Sequence, residues 1–130
     1  MRYMLDTDIA SYLIRGDHPG VTKTFTELYE QCVISSITAA ELQYGARKRN
    51  NRTLTQKVQA LCDLVTIIPW TEEAADAYAK LRVELETAGT PIGNMDMLIA
   101  ASAITEGATL VTNNVDHFAK IESLQFENWC

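Results

Sequence analysis

Short apolar runs alternate with longer amphipathic segments along this chain of 130 residues. The runs that predict β-strands lie at 2–6, 32–34, 64–68, 108–112 and 124–126. Between them, apolar positions recur at helical spacing and predict helices at 9–15, 21–31, 37–49, 53–62, 71–88, 95–106 and 115–119. Strands that alternate with helices favour an α/β fold, in which a mostly parallel central sheet carries helices on both faces.

Polar residues and glycines mark the expected helix ends. Thr7 or Asp8 is predicted to N-cap the first helix, and Asn94 is predicted to N-cap the helix at 95–106. That helix is apolar almost all round, so we expect it to be buried. Gly89 and Gly107 are predicted to end the two longest helices of the second half.

The composition is that of one globular domain, which we assign to residues 1–130. Hydrophobic residues make up 47% of the chain and charged residues 22%. No apolar run approaches the roughly 20 residues of a membrane span, and the N-terminal apolar stretch is too short for a signal peptide. Cys32, Cys62 and Cys130 show no C-x-x-C pairing and are interpreted as reduced thiols, the first two in the core. We therefore expect a cytoplasmic protein with no membrane contact.

Positive charge is concentrated in one segment of an otherwise acidic chain. The net charge is −6, yet five of the eleven Lys and Arg residues are Arg47, Lys48, Arg49, Arg52 and Lys57. A local basic patch of this kind can contact nucleic-acid phosphates even on an acidic protein. A solvated helix end with ordinary charge is an equally good interpretation of the same residues.

Acidic and amide residues occur where predicted elements meet. Asp6 follows the first strand, Glu41 and Asp96 lie early in helices, and Asn114 follows the strand at 108–112. Carboxylates against a core are costly unless a positive charge neutralises them. Oxygen ligands of this kind suit Mg²⁺ or Mn²⁺. The pattern predicts a metal site for phosphate chemistry at the carboxyl edge of the sheet.

Each of these residues also has a purely structural interpretation. Asp6 can accept backbone N–H bonds in a turn, and Thr38 with Glu41 fits a helix capping box. Asp96 complements a helix dipole, Asn114 fits a turn, and Asp116 fits an N-cap. All of these explanations would have to hold together at one sheet edge, so the joint pattern favours the metal site.

Four motifs together resemble a known family. They are L-D-T-D at the start, S-x-x-T-A-A-E-L-x-x-G-A, G-T-P-I-G-N-M-D-M-L-I-A-A, and L-V-T-N-N-x-x-x-F. In this order and at these spacings they resemble the PIN domain, and more narrowly the VapC toxins of bacterial VapBC toxin–antitoxin modules. The resemblance extends over the whole chain and implies a PIN-like fold.

The resemblance also implies residue roles. Asp6, Glu41 and Asp96 match the acidic residues that hold the metal, and Asn114 matches a fourth position of the catalytic site. Asp8 stands where the family more often has Asn, so this chain carries an extra carboxylate beside Asp6. We treat Asp8 and Asp116 as accessory positions. Arg47, Lys48, Arg49 and Arg52 are the candidate RNA contacts.

The implied activity is that of a Mg²⁺-dependent endoribonuclease, with Mn²⁺ able to substitute. Its expected substrate is structured RNA, first of all the anticodon loop of a tRNA such as initiator tRNA. Cleavage would inhibit translation until a VapB-like antitoxin covers the site. The family resemblance further implies a homodimer.

Two other functions compete with this one. Asp6-Thr7-Asp8 after an apolar strand is similar to the D-x-D motif of haloacid-dehalogenase-type phosphatases, although Ala10 departs from that pattern. Alternatively, a PIN-like fold can serve only as an RNA- or protein-binding module. Loss of a matched carboxylate would favour that module, and none is lost.

Overall fold

A computed structural model describes residues 1–130 as a parallel sheet covered by helices. The elements are β1 (Tyr3–Leu5), α1 (Thr7–Arg15), α2 (Pro19–Leu28), β2 (Cys32–Ser35), α3 (Ser36–Arg49), α4 (Arg52–Leu64), β3 (Thr66–Ile68), α5 (Glu72–Thr87), α6 (Asn94–Glu106), β4 (Thr109–Val111), α7 (Val115–Phe118) and β5 (Phe126–Glu127), with a 3₁₀ turn at Tyr29–Gln31. The strands form one sheet in the order β3-β2-β1-β4-β5, and every neighbouring pair is parallel. The predicted α/β fold is confirmed.

Alternating side chains of the strands build two cores, one on each face of the sheet. Met4, Val33 and Leu110 pack with residues of α5 and α6. Their neighbours Leu5 and Val111 pack with residues of α1 to α4 on the other face. A strand that is buried on both faces needs apolar side chains at successive positions, which explains the continuous runs in the sequence. No helix of the structure is both long enough and apolar enough to span a bilayer.

The chain order creates a crevice between β1 and β4. From β1 the chain proceeds to β2 and β3 on one side, and it then crosses to β4 and β5 on the other side. The connections leaving β1 and β4 therefore diverge at the carboxyl ends of two neighbouring strands. In open parallel sheets such a switch point is the usual ligand-binding position.

Three predicted caps are wrong. Asp6, not Thr7 or Asp8, caps α1, because the helix begins directly after β1 and the Asp6 side chain accepts a bond from the Ile9 amide. Gly93 is the N-cap of α6, and Asn94 is its first helical residue. Ser35 caps α3 through the Ile37 amide, so the capping box of Thr38 and Glu41 does not form.

Several predicted boundaries also move. Helix α4 continues to Leu64, with the Val65 amide bonded to the Leu61 carbonyl, so β3 is shorter than the apolar run that predicted it. Strand β5 begins at Phe126, two residues later than expected. The helix expected at 21–31 starts at Pro19 and ends in a 3₁₀ turn. Cys32 is buried as expected, while Cys62 is only half-buried.

Candidate active site

Asp6 lies at the switch point and is the most buried carboxylate of the candidate site. It is 3% exposed, and its amide donates a 3.0 Å bond to the Val111 carbonyl at the end of β4. Its Oδ1 accepts a 2.8 Å bond from the Ile9 amide. Asp6 was predicted to have a turn role as well as a site role, and the turn role is confirmed by this bond.

The environment of Asp6 favours its protonated form. The pKa of Asp6 is raised from the ordinary 3.8 to about 6, mainly by burial. Hydrogen bonds from Thr112 and Ile9 oppose this rise, and the negative charges of Asp8 and Asp96 add to it. Those two charges act on Asp6 because all three carboxylates face the same edge of the sheet. A buried carboxylate near two others is a position at which a cation is favourable.

Thr112 connects the end of β4 to Asp6. This threonine is fully buried, and its hydroxyl is one of the groups that lower the pKa of Asp6. Its Oγ1 also accepts a 3.0 Å bond from the Asn114 amide. Because that oxygen accepts from Asn114, its single proton is available to Asp6. Thr112 therefore stabilises the ionised form of the buried carboxylate, a role for which the sequence offered no signal.

Glu41 reaches the site from α3 and is held by a threonine of α1. The Thr7 hydroxyl donates a 2.6 Å bond to Glu41 Oε1, and its oxygen lies 3.2 Å from the hydroxyl of the buried Thr38. Thr7 directly follows Asp6, so the hydroxyl links the two carboxylates across helices. With Oε1 bonded to Thr7, Oε2 is the Glu41 oxygen left for another ligand.

Asp96 lies in the first turn of α6, where the helix dipole stabilises a carboxylate. Its Oδ2 is 3.3 Å from Nδ1 of His117 in α7, and the two side chains are 28% and 49% exposed. The sequence analysis did not connect these residues, because 21 positions separate them. The only sequence signal for His117 was that it is one of two histidines in the chain.

The remaining predicted positions divide into two groups. Asn114 Nδ2 donates a 3.3 Å bond to Asp8 Oδ2, so both belong to this edge of the sheet. Asp116 is exposed in the first turn of α7 and shares no hydrogen bond with the others, and its predicted N-cap role is wrong because Asn114 holds that position. Arg47, Lys48, Arg49 and Arg52 are exposed at the end of α3 and the start of α4.

The donor types at this edge fit a hard divalent cation. The structure contains no group of three or more His, Cys, Asp or Glu side chains arranged to hold a metal ion. Mg²⁺, however, keeps several waters and is commonly bound through only one or two carboxylates, so a complete protein cage is not required. The acidic character that raises the Asp6 pKa is the feature that a cation would relieve. The assignment of Asp6, Glu41 and Asp96 as its ligands stays a prediction.

The strand order of this parallel sheet and the acidic side chains at its switch point are the features by which the chain can be compared with known protein families. The model of the PIN domain matches residues 3–124. Ribonuclease VapC2 of Rickettsia felis is 44% identical over 133 aligned positions, covering 99% of this chain and 98% of that protein. The tRNA(fMet)-specific endonuclease VapC of Salmonella typhimurium is 33% identical over 132 positions, covering 100% and 99%. The chain belongs to the PIN-domain family and, within it, to the VapC ribonucleases.

A solved structure supports the same assignment. The crystal structure of VapBC2 from Rickettsia felis, bound to a DNA fragment from the promoter, contains a chain that superposes with a TM-score of 0.93 at 40% identity. The superposition covers 100% of both chains. Because the fold and the family are those of PIN domains, the haloacid-dehalogenase alternative is wrong.

Proposed function

We propose that this chain is the toxin of a VapBC-type toxin–antitoxin pair and acts as an endoribonuclease at the edge formed by Asp6, Glu41 and Asp96. The observation that carries the proposal is the buried Asp6, whose pKa rises to about 6 beside the charges of Asp8 and Asp96. Replacing such a group by a neutral one would increase the stability of the fold at neutral pH, so stability alone does not explain the presence of this carboxylate. The names of the VapC relatives, both nucleases, support the same activity.

We assign Asp6, Glu41 and Asp96 as ligands for Mg²⁺, with Mn²⁺ as a substitute and Asn114 as a fourth polar group. Such a cation supplies Lewis acidity toward a phosphodiester oxygen and lowers the pKa of a bound water. The chain's own residues provide orientation. The Ile9 amide fixes Asp6 Oδ1, the Thr7 hydroxyl fixes Glu41 Oε1, and the first turn of α6 stabilises the Asp96 charge.

The substrate we propose is structured RNA, with the anticodon loop of initiator tRNA as the first candidate. The Salmonella relative is named as a tRNA(fMet)-specific endonuclease and matches this chain over its whole length. The basic patch Arg47, Lys48, Arg49 and Arg52 supports an RNA substrate, because none of these residues takes part in a salt bridge. Cations without a carboxylate partner are available to phosphates.

A small VapB-like antitoxin is the partner we propose. Solved structures similar to this chain are VapBC complexes from Rickettsia felis and Salmonella typhimurium. The physical route to inhibition is an Arg or Lys of the partner inserted among the carboxylates, where it replaces the cation. We propose a cytoplasmic location, because that is where a tRNA substrate would be found, and the homodimer implied by the family stays a prediction.

Sequencing of RNA ends after brief induction of the protein tests the activity and identifies the cleaved bond. Purified protein is then dialysed against EDTA and assayed on initiator tRNA with and without added Mn²⁺ or Mg²⁺, with Asp96→Asn as the inactive control. Cleavage restored by metal in the wild-type protein alone supports the proposal. RNA binding without cleavage under every condition would instead favour a non-catalytic binding module.

A further inference from the structure

A groove begins at Glu41 of the candidate active site and extends outward between α1 and α3. The two helices begin directly after the parallel strands β1 and β2, so they leave the same edge of the sheet. The groove has a volume of about 160 Å³. Five of its eleven lining residues are apolar, namely Ile14, Leu42, Ala46, Leu54 and Val58, and the other six are Thr7, Ser11, Arg15, Glu41, Gly45 and Arg49. They follow each other at intervals of four residues on both helices, which places them on the facing sides.

The character of the groove changes from acidic to basic along its length. Its inner end is the bonded pair of Thr7 and Glu41. Its centre is kept open by Gly45, where an added Cβ would meet no atom within 4 Å. Its outer end carries Arg15 and Arg49, each eight residues beyond the inner end, or about 12 Å along a helix axis.

The outer end opens into a second cavity that is still more basic. This cavity of about 190 Å³ shares Arg15 and Arg49 with the groove and adds Lys57, together with polar Asn51 and Thr53. We call Arg15, Arg49 and Lys57 the basic pocket. Three cationic side chains around one cavity repel one another unless an anion enters.

Intramolecular pairing does not balance this charge. Arg49 and Lys57 take part in none of the salt bridges of the chain. Arg15 is bonded to Asp17 through Nε alone, at 3.0 Å, so the two terminal nitrogens of its guanidinium have no carboxylate partner. Elsewhere Arg2, Lys80 and Arg82 are each paired with a carboxylate. The positive charge of Arg49 and Lys57, and part of that of Arg15, is therefore available to an anion.

We propose that the basic pocket binds one backbone phosphate of the RNA substrate, at a fixed distance from the bond cleaved at the acidic end of the groove. The inference rests on the proposed ribonuclease function. A stacked strand rises about 3.4 Å per nucleotide, so about 12 Å corresponds to three or four nucleotides, and to fewer in an extended strand. Arginines fit this role because their planar donor groups bind phosphate oxygens in pairs.

The pocket would act on substrate choice. Because the phosphate is held at a fixed distance from the cleaved bond, RNA whose backbone follows the groove should bind more tightly. RNA that is too short to reach the pocket should bind more weakly. The small side chain of Ser11 and the absence of one at Gly45 leave room for the sugar–phosphate chain between the two ends. An acidic segment of a partner protein also carries negative charge and is the alternative ligand of the pocket. The experiment below distinguishes it from RNA.

The test uses a fluorescent anticodon stem–loop RNA of initiator tRNA, in which one backbone linkage at a time is replaced by a neutral methylphosphonate. Binding is measured by anisotropy in EDTA, and cleavage is measured separately with Mn²⁺. We expect one linkage, away from the cleaved bond, to weaken wild-type binding roughly tenfold when neutralised, the scale of a lost charged hydrogen bond. Arg49→Gln should bind unmodified RNA about as weakly as wild type binds the RNA that is neutralised at this linkage. Neutralising the same linkage should not weaken the binding of Arg49→Gln any further.

Lys80→Gln is the matched control, because it removes one exposed positive charge on α5, far along the chain from the groove. It should show the wild-type profile. The proposal would be overturned if neutralising each linkage weakened RNA binding by the same factor in Arg49→Gln as in wild type. It would also be overturned if Arg49→Gln bound RNA normally and was defective only in binding an acidic partner protein. Selective binding without any cleavage would support the pocket while contradicting the ribonuclease function, and absence of RNA binding would overturn both.

Discussion

Thr7 and Glu41 join two helices at the carboxyl edge of the sheet through a 2.6 Å hydrogen bond. Thr7 is the first residue of α1 and directly follows the buried Asp6, whereas Glu41 lies in the middle of α3. A glutamate side chain has several rotatable bonds, so the position of its carboxylate varies unless a hydrogen bond fixes the rotamer. The Thr7 hydroxyl therefore fixes Glu41 relative to Asp6, which makes Thr7 a positioning residue.

Replacing Thr7 by Val tests this role, because Val keeps the shape and removes the hydroxyl. We expect kcat on tRNA to fall about tenfold or more with KM little changed, since a lost hydrogen bond to a charged group is worth about 1.5–3 kcal/mol. Thr7→Ser retains the hydroxyl and should recover most of the rate. Steady-state kinetics of the three proteins decide the matter, and an unimpaired Thr7→Val enzyme would show that Glu41 needs no such support.

Asp6→Asn should change how the stability of the metal-free protein depends on pH. Burial raises the pKa of Asp6 from 3.8 to about 6, so the folded state binds this proton more tightly than the unfolded state. The free energy of unfolding therefore falls as the pH rises from about 4 to about 6, by about 3 kcal/mol. Asn keeps the shape and the acceptor for the Ile9 amide, and it carries no charge.

The variant should accordingly match wild type near pH 4 and be more stable than wild type at pH 7.5. Urea unfolding in EDTA at several pH values measures the difference. If the free energies of unfolding of wild type and variant changed in parallel from pH 4 to pH 8, burial would not raise the pKa of Asp6. Asp76→Asn, at an exposed position of α5, is the control and should give parallel curves.

The fold followed from hydrophobic periodicity, whereas its boundaries did not. Strands buried on both faces leave continuous apolar runs, and the alternation with helices specified a parallel sheet. The predicted cap of α1 was wrong because Asp6 directly follows β1 and is at the same time the N-cap of the helix. A sequence pattern cannot reveal that a connection has no loop at all.

The acidic positions of the site were visible in the sequence, but their partners were not. Asp6, Glu41 and Asp96 stand out because carboxylates next to apolar runs are unusual. The contacts of Glu41 with Thr7 and of Asp96 with His117 join residues 34 and 21 positions apart. Such contacts depend on the order of strands in the sheet and on helix packing, which local patterns do not encode.

Neutralising the patch at the end of α3 should reduce the salt dependence of RNA binding. In the variant Arg47→Gln, Lys48→Gln, Arg49→Gln and Arg52→Gln, the slope of log K against log salt should fall by about 3 to 4 if all four residues touch phosphate, since each contact contributes about 0.7 in single strands and 0.9 in duplexes. Of these residues only Arg49 lines the groove. A decrease of about 1 would therefore mean that the other three residues do not touch phosphate, and an unchanged slope would mean that none does.

Asp96→Asn should abolish cleavage of tRNA while leaving the fold intact. The carboxylate is partly exposed at the start of α6, and its loss removes a negative charge that opposes ionisation of Asp6. We expect the melting temperature in EDTA to stay the same or rise slightly, and Mn²⁺ to stabilise wild type more than the variant. Activity at the wild-type level would contradict the assignment of Asp96 to the metal site.

The last prediction concerns the antitoxin. If its Arg or Lys enters the acidic edge, the complex depends on the carboxylates as well as on apolar contacts, and the same Asp96→Asn change should weaken it. Removing one member of a desolvated charge pair costs roughly 2–5 kcal/mol, so the dissociation constant should rise at least about thirtyfold, mainly through faster dissociation. Surface plasmon resonance with a co-purified VapB-like protein measures both rates, and Asp116→Asn, at an exposed position outside the hydrogen-bond network, is the matched control. Equal dissociation rates for the two variants would place the inhibitory contact elsewhere on the toxin. We expect the complex to be inactive even in excess Mg²⁺, because the inserted basic side chain holds the position of the cation.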